Sequence, residues 1–158
     1  MITTENKTIS IKRTFNLPLD AVWKAWTEPG SFKKWWGPKD YTCPHCSINF
    51  KPGGTYLNCM RAADGKEFWS TGTYKEIIPL KKIVYADSFS DSKGNIIPAS
   101  DLKMPGEWPL ELMVTVEFEG IDSKTNLLLK HVGVPKEAYD DCISGWQQSF
   151  DKLENSFK

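Results

Sequence analysis

The spacing of apolar side chains changes period three times along the chain. From Thr8 to Phe15, Ile9, Ile11, Arg13 and Phe15 share one face of an alternating segment. That pattern predicts a strand with one buried side. The period then becomes helical: Leu19, Val22, Trp23 and Trp26 recur at three- and four-residue steps. Pro18 opens this helix, Asp20 suits its first turn, and Pro29-Gly30 ends it. Ser31 caps a second short helix carrying Phe32, Trp35 and Trp36, which Gly37-Pro38 stops.

Between Tyr41 and Val132 the signals are strand and turn. Strands are predicted at Tyr41–Phe50, Thr55–Arg61, Glu67–Ile78 and Lys82–Ser90, with Pro52-Gly53-Gly54, Asp64-Gly65 and Pro79 marking turns. Leu112, Val114, Val116 and Phe118 alternate against Met113, Thr115 and Glu117, and Thr125, Leu127, Leu129 and His131 repeat the pattern. With the first segment this makes seven strands, joined in succession as an antiparallel meander. After Pro135 the helical period returns in Tyr139, Cys142, Ile143, Trp146, Phe150, Leu153 and Phe157. A helix of roughly 20 residues is about 30 Å long, and its apolar stripe needs the concave face of the sheet.

One connection breaks the pattern. Asp91 to Pro109 has no clear period and holds Pro98, Pro105, Gly106, Trp108 and Pro109. Long loops in compact domains carry function or stay disordered, and an aromatic among Gly and Pro favours a packed lid. The expected class is therefore α+β: a curved antiparallel sheet wrapped around a long C-terminal helix, with two short helices after the first strand. Such a helix-grip arrangement tends to open a cavity between sheet and helix, where small ligands bind.

Composition narrows the function. The 158 residues carry 20 basic and 20 acidic side chains, which removes the electrostatic argument for nucleic acid or an anionic membrane as partner. No stretch approaches the roughly 20 apolar residues of a membrane span. The polar start, Met1 to Asn16, has no apolar signal region, and four cysteines make no disulfide framework in a chain of this length. A cytoplasmic protein of one domain, 1–158, is expected. Seven tryptophans exceed what such a core needs and point to a cavity or contact surface.

The runs "LPLDAVWKAWTEPGSFKKWWGP" (Leu17 to Pro38), "KPGG" (Lys51 to Gly54), "DGKEFWSTGTYKEIIP" (Asp64 to Pro79), "MPGEWP" (Met104 to Pro109) and "GWQQSFDKLENSF" (Gly145 to Phe157) resemble the START-like, birch-pollen-allergen-like superfamily. Within it they are similar to the branch named for the activator of the 90-kDa heat-shock protein ATPase. The resemblance implies the same helix-grip fold, with a hydrophobic cavity beneath the last helix. It implies several functions: lipid and hormone carriage, polyketide cyclase or hydratase activity, and co-chaperone contact. Fold alone does not choose among them.

Candidate chemistry is sparse. Cys43-Pro44-His45-Cys46 opens a strand, without the helix N-terminus that activates a redox cysteine. His45, Cys59, His131 and Cys142 lack the spacing that would complete a zinc site, and residues three apart in an extended strand face opposite ways. Ordinary strand cysteines, no metal and no cofactor are expected. His131 is either a general base near neutrality or a satisfied polar group at a strand end. Arg13, inward on the first strand, needs a partner: Glu76, Asp87 or a ligand carboxylate. Glu76 and Asp87 are also a candidate acid/base pair. Trp23, Trp26, Trp146 and Phe150 read as mainly core. Trp35, Trp36, Tyr56, Trp69, Tyr74, Phe89 and Trp108 are harder to absorb into a core and suit a flat, apolar ligand. The candidate cavity lining is Arg13, Trp35, Trp36, Tyr56, Trp69, Tyr74, Glu76, Asp87, Phe89, Trp108 and His131, with Trp146 and Phe150 of the last helix. No phosphate loop, HExxH, GxSxG or EF-hand motif is present. The expected function is binding of an apolar or aromatic small molecule. Co-chaperone-like protein interaction and a cyclase- or hydratase-like reaction are the alternatives.

Overall fold

A computed structural model describes residues 6–157; Met1 to Glu5 and Lys158, which belong to the polar start and the end of the expected domain, lie outside it. The elements run β1 (Asn6–Phe15), α1 (Leu19–Thr27), α2 (Pro29–Phe32), β2 (Thr42–Ile48), β3 (Thr55–Arg61), β4 (Glu67–Ile78), β5 (Lys82–Ser90), β6 (Leu112–Ile121), β7 (Lys124–Pro135) and α3 (Tyr139–Asn155). All strand pairs are antiparallel, in the order β1-β7-β6-β5-β4-β3-β2. This is the helix-grip α+β architecture.

The meander holds from β2 to β7 only. β1 does not pair with β2; it lies at the far edge beside β7. The reason is the chain between them. α1 and α2 cross the concave face, so the chain re-enters the sheet at the opposite edge. Two boundaries also shift. Pro29 starts α2 at its first turn, where a missing N–H costs nothing, so Pro29-Gly30 begins a helix as well as ending one. Pro135 closes β7, and a short 3₁₀ turn (Lys136–Ala138) precedes α3, whose 17 residues leave Phe157 exposed.

The strand alternation buries one face as expected. Ile9, Ile11 and Phe15 of β1, Val114, Val116 and Phe118 of β6, and Leu127 and Leu129 of β7 are buried against Trp26, Trp35, Phe150 and Leu153. Each such side chain contributes about 1.5–3 kcal/mol relative to exposure. The rings lock by edge and face: Trp26 meets Trp35 at 4.9 Å and Trp146 at 6.1 Å, and Phe15 meets Phe150 edge-on at 5.6 Å.

β2 carries a register shift between Thr42 and His45. A bulge reverses the parity of a strand, so Cys43 is buried and Cys46 also packs against the core. The opposite-face expectation for these two cysteines fails for that reason. All four cysteines are unpaired, and burial pushes the Cys46 thiol up to about 12.

α3 is tied to the segment between α2 and β2 by one ammonium. Lys152 Nζ donates to the carbonyls of Gly37 (3.0 Å), Pro38 (3.3 Å) and Tyr41 (2.9 Å), and Gln148 Oε1 accepts from Lys39 N–H at 2.9 Å. Lys152→Met removes the donor while keeping most of the stem. It should lower stability by about 1–3 kcal/mol, because partly buried carbonyls lose their partner. Urea midpoints compared with Lys34→Met, a change on an exposed turn, check this; equal midpoints would contradict it.

Candidate functional site

The deep part of the grip is filled. Between α2 and the middle of the sheet, Trp26, Phe32, Trp36, Tyr56, Tyr74 and Tyr85 leave a void of about 20 Å³, room for one water at most. Open space lies nearer the N-terminal half of α3. There a cleft of about 320 Å³ is bounded by the sheet, α3 and the 91–111 connection. α3 contributes Cys142, Gly145, Trp146 and Ser149, spaced so that they share one helical face. Trp36 adds a ring at 5.5 Å from Trp146. Phe89 of β5 and Trp108 of the connection meet edge-on at 5.3 Å.

The 91–111 connection borders one side of the cleft, to which it contributes Met104, Pro105 and Trp108. Asp91 caps its first turn by accepting from Lys93 N–H and Asn95 N–H, at 2.8 and 2.9 Å. Trp108 Nε1–H donates to Pro105 O at 2.8 Å, which folds the indole back over its own loop. Gly106 has φ +89°, and a Cβ there would stand 2.5 Å from Pro135 Cβ, so only glycine lets the lid close against the end of β7.

Ser70, Asp87 and His131 are the polar side chains of the sheet that line the cleft. Asp87 on β5 faces Gly72 on β4, and Gly72 faces Tyr56 on β3. The central position has no side chain, so the Tyr56 ring lies across it and its hydroxyl donates to Asp87 Oδ1. A Cβ on Gly72 would stand 2.6 Å from the Tyr56 hydroxyl and 2.2 Å from Ala86 O. Burial raises the Asp87 carboxyl to about 7, against the opposing effect of the Tyr56 hydrogen bond. His131, on β7, is buried. Its Nδ1 accepts from Trp146 Nε1–H at 3.2 Å, so the neutral ring carries its proton on Nε2. That atom has no partner among the described residues. Burial lowers the imidazole to about 4, which keeps it neutral at physiological pH.

The sequence candidates divide by place. Trp36, Asp87, Phe89, Trp108, His131 and Trp146 line the cleft. Tyr56 and Tyr74 line the filled void beside it. Trp35 and Phe150 are fully buried core, with Trp35 Nε1–H donating to Ala25 O at 2.8 Å. Trp69 alternates out of the concave face, its ring 5.5 Å from that of His45. Glu76 is exposed and pairs with Lys82 at 3.0 Å. Arg13 pairs with neither Glu76 nor Asp87. It reaches α3 instead, with Asp151 at 2.7 Å, Glu154 at 3.6 Å and Gln147 Oε1 at 3.3 Å. The cause is the place of β1 at the far edge, beneath the C-terminal half of α3. Sequence reasoning missed Met60, Leu112 and Ser149 as lining, and Gly72 as the gap Tyr56 spans. A glycine inside a strand pattern was the available signal, since it marks close approach of another group. Among the described residues no group of three or more His, Cys, Asp or Glu is placed to hold a metal ion, and no helix is long and apolar enough to cross a membrane.

A curved antiparallel sheet closed on a C-terminal helix, with a cleft under a lid, defines a START-like helix-grip protein. Residues 16–158 match the family described as Activator of Hsp90 ATPase homolog 1-like protein, and the chain belongs to that family. No curated protein matches it. Solved structures with the same fold include a protein of Nitrosomonas europaea, 21% identical with TM-score 0.76 over 98% of this chain and 95% of that one. A Chromobacterium violaceum protein is 25% identical, with TM-score 0.75 over 94% of each chain. An AHSA1 protein of Silicibacter pomeroyi is 18% identical, with TM-score 0.76 over 96% of this chain and 97% of that one.

Asp87 and His131 set opposing pH dependences. Folded Asp87 holds its proton up to about 7, whereas the unfolded carboxyl releases it near 3.8. Its contribution to stability is therefore full below 3.8 and lost as pH rises to 7. Folded His131 stays neutral down to about 4, whereas the unfolded ring takes a proton below 6.5. Its contribution is full above 6.5 and lost as pH falls to 4. Asp87→Asn should make stability rise from pH 4 to 6.5 relative to wild type, and His131→Gln should make it fall. Each slope is at most about 1.4 kcal/mol per pH unit. Urea unfolding across that range checks both signs; two variants parallel to wild type would contradict the assignment.

Proposed function

We propose that this chain, acting as one domain over 1–158 and in the cytoplasm, binds an apolar or aromatic small molecule in the cleft beneath the Trp108 lid. The observation that carries this reading is the contrast between a filled grip and the cleft of about 320 Å³ beside it, walled by Trp36, Phe89, Trp108 and Trp146. That volume lies at the low end of the about 300–1,000 Å³ of ligand sites and suits a ligand of a few rings. The unpaired cysteines support a reducing compartment. A cyclase- or hydratase-like reaction has less support, because of Arg13, Glu76, Asp87 and His131 only the last two share the cleft. Neither is paired there with a nucleophile.

A second reading, contact with a chaperone, is favoured by the family description and by exposed Ile78, Leu80 and Ile121. Leu80 borders an outer groove with Leu19 and Gly120, well away from the lid. One experiment separates the two. Protein isolated from its own cells and analysed by native mass spectrometry should carry a small-molecule adduct. Trp108→Ala should reduce the adduct severalfold, and Leu80→Asp should leave it unchanged. An unliganded wild-type protein that co-purifies with the chaperone through Leu80 would overturn the first reading in favour of the second.

A further inference from the structure

The polar groups of the cleft offer hydrogen-bond donors and no cation. His131 Nε2–H is buried with no acceptor among the described residues, in a residue that is 8% exposed overall. A donor buried in this way is costly unless a ligand pairs with it. Asp87 Oδ1 already accepts the Tyr56 hydroxyl. The proton of a neutral Asp87 therefore belongs on the other carboxyl oxygen, which has no partner among the described residues. No Lys or Arg lines the cleft, whereas Asp141 lies at its mouth. Lys152, packed under the neighbouring 37–41 segment, donates to three carbonyls. A carboxylate ligand would meet acids and find no counter-ion.

The two donors are set apart. In the sheet register Asp87 faces Leu112, whereas His131 faces Val114. They stand two strands apart and two residues along, about 12 Å between Cα atoms at ordinary strand spacings. Both leave the same concave face, and the aromatic walls lie around them.

We propose that Asp87 and His131 form a two-point donor anchor selecting an uncharged, flat aromatic ligand with carbonyl-type acceptors at two ends, and rejecting carboxylates. This rests on the reading of the cleft as a ligand site. The titratable groups beside Asp87 are Tyr56 from β3 and Tyr85 from its own strand; Tyr74 of β4 packs on both tyrosines, and Tyr41, His131, Asp141 and Cys142 line the same cleft. Burial pushes Tyr56, Tyr74 and Tyr85 well up and Cys142 up to about 11. Asp87, at about 7, is the group among these four and itself whose donor is lost as pH passes neutrality.

Three probes of one shape test the anchor by equilibrium dialysis: 2,6-diacetylnaphthalene, 2,6-diisopropylnaphthalene and naphthalene-2,6-dicarboxylate. The diketone should bind about tenfold or more tightly than the hydrocarbon, the effect of pairing a buried donor, and the dicarboxylate should not bind measurably. Diketone affinity should fall as pH rises through 7. Asp87→Asn, which keeps the shape and an N–H donor, should bind the diketone with no such fall. His131→Phe should weaken it about tenfold. Equal binding of hydrocarbon and diketone, binding of the dicarboxylate, or an unchanged pH profile in Asp87→Asn overturns the anchor while leaving the cleft a ligand site. Failure of all three probes to bind overturns both.

Discussion

The separation between α3 and the sheet is fixed by stacked aromatic rings, and the site follows from that separation. Trp146 and Phe150 rest on Trp26, which rests on Trp35. Phe15 of β1 meets Phe150 from the sheet side. The core half of the helix is thus held close, with almost no space left beneath it. On its cleft-facing side the same helix presents Cys142, Gly145 and Ser149, which are small, beside Trp146. The 91–111 connection supplies the facing wall with Trp108.

Burial shifts Asp87 and His131, the two titratable groups that the sheet turns to that space, toward their neutral forms. Away from water, an acid keeps its proton and an imidazole gives its proton up. The Tyr56 hydroxyl opposes the change in Asp87 by stabilising the charged form, yet burial outweighs it. Gly72 makes the arrangement possible by leaving its position on β4 empty of side chain. A tyrosine on β3 thereby reaches an aspartate on β5. Below neutral pH the outcome is an uncharged Asp87 and His131, enclosed by aromatic rings.

Periodicity made most of the fold legible. The ends of β3, β4 and β5 coincide with turn residues and follow directly from them. Local pattern fails where partners are distant. Nothing within β1 says which edge it occupies, so Arg13 found its acids on α3 rather than on β4 or β5. The bulge in β2 is a register fact shared with β3, and it moved Cys43 and Cys46 to a common side. Trp69 follows the parity of β4 out of the concave face, whereas Trp35 is drawn into the core by its bond to Ala25. Phe89 and Trp108 both border the cleft, and the strand alternation and Pro-rich loop that carry them are local signals.

The seven tryptophans are natural reporters for the central claim, that ligand enters the cleft beneath the lid and not the filled grip. Labelling with 5-fluorotryptophan gives each of them a fluorine signal, and 2,6-diacetylnaphthalene can be titrated against all seven at once. The account predicts that Trp36, Trp108 and Trp146 shift on binding while Trp23, Trp26, Trp35 and Trp69 stay in place. Shifts at Trp26 and Trp35, with Trp108 and Trp146 silent, would contradict it.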